Sequence, residues 1–316
     1  MLNQGEKTPS MVEVLADDTR EGATRKNLFS DRLNRYSKAK ERSLAIAEYI
    51  RVNQPHHLNT GNQVFNCGNY LVFRDYYTVG EIRLSKACFC KKHLLCPLCA
   101  IRRGSKLLSR YIDRFQELKA ANGQLTPYLV TFTVKDGNDL LGRFRHLQKG
   151  IQYLHKKRHL KGRISESKKA LGAVWSYEVK RGSGSGSWHP HVHAIWLCEE
   201  PPSQAELSSE WLKITGDSYI VDVRPINDSS DERTVKGFLE VFKYAVKFSD
   251  QSESDTWHCY ENLRGRRLIG SFGLFYGIPE PDDLADDPLE GLPYNELFFS
   301  YVPYLNHYKL KHLEDS

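Results

Sequence analysis

Three histidines alternate in the segment HPHVH at residues 189–193. The surrounding residues 188–197 are rich in β-branched and aromatic side chains, which predicts a β-strand. Because the side chains of a strand alternate between its faces, His189, His191 and His193 project from the same face. Neutral imidazole is a common ligand of divalent metals, so the pattern predicts a metal site. The alternative is a polar or pH-sensitive surface.

A metal held by two histidines needs a third protein ligand, and the residues offer two candidates. His189 lies on the same strand face as His191 and His193. A second strand is predicted over residues 173–180, and the GSGSGS loop after it predicts a hairpin with the histidine strand. Glu178 on that partner strand faces the histidines only if the register pairs it with an odd-numbered position.

The helix predicted over residues 235–248 carries a second polar cluster. Its apolar residues recur at helical spacing, at Val235, Phe238, Leu239, Phe242 and Val246. On a different face, Glu240, Lys243, Tyr244 and Lys247 lie together. Ammonium groups favour the phenolate form of a tyrosine, which is a nucleophile, and a nearby carboxylate can act as a base. The alternative is a solvent-exposed tyrosine within an ordinary ladder of charges.

Four cysteines at 88, 90, 96 and 99 have the spacing of a tetrahedral structural zinc site. The predicted ligands are Cys88, Cys90, Cys96 and Cys99, and His93 could replace one of them. Redox-active thiols and buried thiols without a metal are the alternatives. Three further cysteines are predicted to be isolated structural residues: Cys67, Cys198 and Cys259.

The charge distribution favours a polyanionic partner. The formal net charge is +6, a basic block spans residues 141–181, and an acidic stretch spans residues 279–298. Predicted contacts with DNA phosphates are Arg102 and Arg103 at a helix start, and Lys180 in the basic block. A solvated helix face is the alternative. No run of 18 apolar residues and no signal peptide are present, so we expect no membrane partner and a cytoplasmic protein with reduced cysteines.

Three motifs occur in a fixed order: FTVK at 132–135, HPHVH at 189–193 and EVFKYAVK at 240–247. In this order the sequence resembles the plasmid-type rolling-circle replication initiators of the HUH endonuclease superfamily, in the branch that has one catalytic tyrosine and a glutamate. The resemblance extends over roughly residues 65–275.

The resemblance implies a nickase that cuts one strand of a plasmid double-strand origin. Tyr244 would attack the scissile phosphorus and form a 5′-phosphotyrosyl link, and Glu240 would activate water to end the cycle. The freed 3′-OH would prime a host polymerase, with a host helicase as a further partner. Mg²⁺ or Mn²⁺ would be held by His191 and His193, and the resemblance favours Glu178 as the third ligand.

The expected fold is α+β, with a central, mostly antiparallel HUH/RRM-like sheet flanked by helices and a small Cys-rich zinc segment. The expected domains are a polar leader at 1–60, partly disordered or helical, a nicking domain at 61–275, and an acidic and aromatic extension at 276–316 packed on it.

Two other functions use the same residues. An HUH transposase or relaxase would share the chemistry, although relaxases usually place the tyrosine before the histidine motif and transposases are usually shorter and lack the cysteine segment. A non-catalytic, zinc-dependent DNA-binding regulator would need no tyrosine on the polar helix face.

Overall fold

The structure is a computed structural model, which describes residues 25–162, 164–226, 231–243 and 251–311. In chain order the elements are α1 (Arg25–Asn53), α2 (Leu58–Asn66), β1 (Tyr70–Tyr76), β2 (Glu81–Ala87), α3 (Pro97–Ala121), β3 (Thr126–Thr133), α4 (Leu140–Lys157), β4 (Ala170–Arg181), β5 (Trp188–Cys198), α5 (Gln204–Thr215), β6 (Val221–Pro225), α6 (Asp231–Phe242), α7 (Glu253–Leu263), β7 (Ile269–Gly273), β8 (Asn295–Val302) and β9 (His307–Leu310).

Every strand pairing among these residues is antiparallel, and the strands form two sheets flanked by helices. The predicted α+β class is therefore confirmed. The helix expected over 235–248 is described as α6 up to Phe242, and residues 244–250 lie outside the described part of the chain. No helix among the described residues is both long and apolar enough to span a membrane.

The chain divides into two units. The first comprises residues 1–106, 252–257 and 281–316, and its sheet has the order β2-β1-β8-β9. The second comprises residues 107–251 and 258–280, and its sheet has the order β6-β3-β5-β4-β7. The expected domain boundaries at residues 60 and 276 remain a proposal.

Helices α4 and α5 cover one face of the five-stranded sheet. The Phe144 ring of α4 lies 5.3 Å from Tyr177 of β4, and the Trp211 ring of α5 lies 5.0 Å from Phe132 of β3. The two helices approach closely at Gly150, where a Cβ atom would come within 2.6 Å of the Trp211 ring. Any larger side chain at this position would force the helices apart.

The opposite sheet face carries Glu178, His191 and His193, and continues along the strands into the fully buried Val174 and Ile195. Helix α6 contacts β4 and β5. Because α4 and α5 occupy the other face, α6 covers this one. Its apolar side also packs on α3, with ring pairs Tyr111–Phe242 and Phe115–Phe238.

Candidate active site and metal centres

Glu178, His191 and His193 converge on the face of the five-stranded sheet that α6 covers. The β4–β5 hairpin pairs Glu178 with His191, which is the odd-numbered register that puts all three on one face. Glu178 Oε1 lies 3.2 Å from His191 Nε2, and Glu178 Oε2 lies 3.5 Å from His193 Nε2. The three ligand atoms are all within 4.8 Å of one another. Two imidazoles and one carboxylate suit a divalent metal.

The Nδ1 atom of each imidazole also has a hydrogen-bond partner. His193 Nδ1 lies 3.0 Å from Thr131 Oγ1 on β3, and His191 Nδ1 lies 3.3 Å from the His189 carbonyl oxygen. For Nε2 to bind a metal, the ring hydrogen must be on Nδ1, which then donates to these oxygens. Thr131 was not predicted, although the alternation of Thr131 and Thr133 along β3 was a signal for a polar strand face.

His189 has a different partner. Its Nδ1 lies 2.5 Å from Asp136 Oδ1, and the Ser185 hydroxyl also donates to this carboxylate. Burial raises the pKa of Asp136, but the hydrogen bonds from Ser185 and His189 outweigh it and leave the pKa below its ordinary value. The structure therefore places Glu178 beside His191 and His193, whereas the partner of His189 is Asp136.

Helix α6 and the residue that follows it carry a second pair of charged side chains. Lys243 is buried, and its Nζ pairs with Glu240 Oε1 one turn earlier. Glu240 is half-buried. The predicted Tyr244 and Lys247 lie outside the described residues.

The cysteine group differs from the predicted one. The four thiols that meet belong to Cys67, Cys90, Cys96 and Cys99. The sulfur–sulfur distances are 3.5 Å for Cys67–Cys99, 3.4 Å for Cys67–Cys96 and 3.7 Å for Cys90–Cys99. Hydrogen bonds with the other three thiols hold the pKa of Cys96 well below its ordinary value. Four sulfur ligands suit a tetrahedral zinc.

The structure places Cys67, and not the predicted Cys88, beside the other three thiols. The Cys88 side chain is exposed, whereas its carbonyl oxygen accepts a hydrogen bond from the Gly68 N–H at 2.8 Å. This bond joins the segment after β2 to the end of α2, so that the Cys90 N–H donates to Cys67 Sγ at 3.4 Å. The glycine that follows Cys67 was the sequence signal for a tight turn at this position. Gly68 has φ +68°, and a Cβ atom there would come within 2.6 Å of the Leu98 side chain.

His93 is not part of the cysteine group among the described residues. Burial, with a smaller contribution from Arg103, lowers the pKa of His93 to about 4. The charged neighbour of the group is Lys40 of α1, which is buried and donates to the Cys67 carbonyl oxygen at 2.8 Å. Ser43 Oγ lies 3.5 Å from Cys96 Sγ.

Arg102, predicted to contact DNA, has interior partners in the structure. Its side chain is buried and pairs with Asp286, and its Nε donates to the Leu284 carbonyl oxygen at 2.8 Å. Burial alone would raise the pKa of Asp286, but Arg102 and Arg32 hold it well below its ordinary value. The guanidinium of Arg102 is therefore committed to the interior of the first unit.

The other two residues predicted to contact DNA phosphates are at least partly exposed to solvent. Lys180 is exposed and pairs in register with His189, whereas Arg103 is half-buried. Both remain proposals as DNA ligands.

A family model described as "Replication protein" matches residues 81–295, which is more than half of the chain. The chain belongs to this family. The matched range includes Glu178, His191, His193 and Glu240. Membership supports a role for this replication protein in initiating plasmid replication, and it implies binding to plasmid origin DNA.

Two relatives carry the name "Protein rep". One, from Bacillus sp, is 25% identical over 268 residues, covering 75% of this chain and 85% of the relative. The other, from Bacillus amyloliquefaciens, is 25% identical over 284 residues, covering 78% of this chain and 81% of the relative. No solved structure matches the chain.

Proposed function

We propose that this replication protein is an HUH nickase that cuts one strand of a plasmid origin by tyrosine transesterification. The observation that carries the proposal is the Glu178–His191–His193 group on a sheet face covered by α6. The same helix carries Glu240, and Tyr244 follows Lys243 in the chain.

In the proposed step, Tyr244 Oη attacks the scissile phosphorus of one DNA strand. The bond from Tyr244 Oη to phosphorus forms, the bond from phosphorus to the 3′ oxygen breaks, and that oxygen leaves as a 3′-OH after taking a proton. The products are a 5′-phosphotyrosyl link and a primer for the host polymerase. Glu178, His191 and His193 would hold Mg²⁺ or Mn²⁺, which would supply positive charge to offset the negative charge on the non-bridging phosphate oxygens.

The charged residues of the helix have separate roles in this proposal. The ammonium groups of Lys243 and Lys247 favour the phenolate of Tyr244. The ion pair with Lys243 holds the Glu240 carboxylate on the helix. At the end of a round, Glu240 accepts a proton from a water molecule whose oxygen attacks phosphorus in the regenerated origin, and the bond from that phosphorus to the 3′ oxygen breaks. The freed 3′-OH then attacks the phosphotyrosyl phosphorus and displaces Tyr244, so that no covalent link to the protein remains.

In the same proposal the group Cys67, Cys90, Cys96 and Cys99 holds a structural zinc. All four ligands come from the protein, so no coordination position remains for substrate. Its contribution is to the folding of the first unit.

A denaturing gel tests the mechanism. The wild-type protein, incubated with Mn²⁺ and an end-labelled single strand from a candidate plasmid origin, should form a covalent protein–DNA adduct. Tyr244→Phe should form none, because phenylalanine lacks the attacking oxygen. Tyr219→Phe is the matched control, since Tyr219 is an exposed tyrosine of the same unit, and it should form the adduct normally.

The variant Glu240→Gln distinguishes nucleophilic attack by Tyr244 from water activation by Glu240. It should form the adduct at close to the wild-type rate and turn it over slowly. An adduct that persists in Tyr244→Phe would contradict the proposal. Tight origin binding by the wild type, with neither nick nor adduct, would favour a non-catalytic zinc-dependent regulator.

A further inference from the structure

Helix α4 has an unusual charge composition. Its 18 residues contain five lysines and arginines and neither aspartate nor glutamate. A helix face that is merely solvated usually alternates the two signs, because neighbouring like charges repel. The absence of acidic side chains from α4 therefore favours a negatively charged binding partner.

The helix geometry arranges part of this charge in a line. Leu147, Ile151 and Leu154 form the buried stripe of α4. At 100° per residue, Arg145, Lys149 and Lys156 lie within about 40° of one another on the opposite side, and all three are exposed. Along the axis they span about 16 Å.

The other two basic side chains of α4 already have acidic partners. Arg143 Nη1 lies 2.9 Å from Asp217 Oδ2, and Lys157 Nζ lies 2.5 Å from Glu210 Oε1. Across the described part of the chain, no acidic group lies within ion-pair distance of the three residues on the exposed line. The basic residues of α4 therefore form two sets. Two have acidic partners, and the three on the exposed line have none within ion-pair distance among the described residues.

We propose that Arg145, Lys149 and Lys156, the α4 line, bind the phosphate backbone of duplex DNA. Its length exceeds the width of the major groove, about 12 Å, so it can reach phosphates on both sides of a groove. Binding of single strands relies on grooves lined with several aromatic rings, whereas this straight face exposes one, Tyr153. Duplex DNA is therefore the partner that fits.

The position of α4 gives this surface a distinct role. It lies on the sheet face opposite Glu178, His191 and His193, so duplex bound there leaves the metal-ligand face open for the scissile strand. The inference extends the proposed function but does not depend on nicking, since backbone binding needs neither Tyr244 nor a divalent metal.

Salt-dependent binding tests the α4 line. The full-length protein, without added divalent metal, is titrated against a fluorescent 30-bp duplex of random sequence at several salt concentrations. The triple variant Arg145→Gln, Lys149→Gln, Lys156→Gln should bind at least about tenfold more weakly. The slope of log K against log salt should fall in magnitude by about 2.7, at 0.9 per phosphate contact.

The matched control removes the same charge elsewhere. Lys86→Gln, Lys309→Gln, Lys311→Gln replaces three exposed lysines of the first unit and should leave the slope unchanged. An equal loss in both triple variants would overturn the proposal in favour of a net-charge effect, and an unchanged slope in the α4 variant would overturn it outright. A loss restricted to a 30-nucleotide poly(dT) strand would overturn the duplex assignment. Adduct formation on single-stranded DNA, measured separately, reports on the nicking proposal alone.

Discussion

The two groups of candidate metal ligands differ in how the chain supplies their members. The cysteine group draws on three separated places: the end of α2 for Cys67, the segment after β2 for Cys90, and the start of α3 for Cys96 and Cys99. The Glu178–His191–His193 group comes from one hairpin, whose backbone pairing sets the positions of its ligands. The first group therefore depends on contacts between separate segments, to which the proposed zinc would add, whereas the sheet positions the second group by itself.

The groups also differ in what remains for substrate. Four thiols complete a tetrahedral zinc, which is typical of structural sites, and three of the four are almost fully buried. Three ligands from the hairpin leave coordination positions for phosphate oxygens or water. In the proposed function, ligand number therefore gives the cysteine group a role in folding and the histidine group a role in chemistry.

The largest effect is expected for Cys67→Ser. Structural zinc contributes apparent binding free energies of about 10–16 kcal/mol in small domains, and this energy is coupled to folding. Loss of one ligand should remove stoichiometric zinc and several kcal/mol of stability. Zinc content by mass spectrometry and thermal denaturation measure both.

Cys88→Ser is the control for this prediction. It changes a cysteine 21 positions further along that is exposed and outside the group. Zinc content and the melting temperature should both stay at the wild-type values. If the two variants lost zinc equally, the ligand set read from the structure would be wrong.

The next effect separates activity from stability. His191→Ala should lower metal-dependent nicking of single-stranded DNA by more than about 10²-fold, since charge stabilisation by the metal is lost. Its melting temperature should change little, because the hairpin forms without the metal. His146→Ala, a partly exposed histidine of the same unit that contacts Asp217, should nick normally. A large drop in the melting temperature of His191→Ala, with nicking retained, would reverse the roles of the two groups.

Local periodicity predicted the parts of these sites that lie on regular elements. Alternation along residues 188–197 put the histidines on one face, and the choice between Glu178 and His189 depended on the hairpin register, which a sequence does not specify. The GSGSGS loop sets that register, with Gly182 N–H bonded to the Ser187 carbonyl oxygen at 2.8 Å.

Contacts between distant segments were not predictable in the same way. Arg102 at a helix start has the pattern of a phosphate contact, and only the fold reveals its pairing with Asp286, which lies far along the chain. Cys67 was missed for the same reason, because its partners follow more than 20 residues later. Spacing rules apply to ligands within one loop or element, and they carry no information about which segments the fold brings together.

The smallest effect concerns the support of one ligand. Thr131→Val removes the oxygen that lies 3.0 Å from His193 Nδ1 and keeps the shape of the side chain. Loss of such a partner typically weakens metal binding about 10- to 100-fold, because the ring orientation and basicity change. The Mn²⁺ concentration for half-maximal nicking should rise accordingly, while the rate at saturating Mn²⁺ stays close to wild type.

Thr133→Val is the matched control, since Thr133 Oγ1 donates to the Ile220 carbonyl oxygen. If Thr133→Val raised the Mn²⁺ requirement as much as Thr131→Val, the effect would belong to strand β3 in general, and the hydrogen bond to His193 would have no special part in holding the metal.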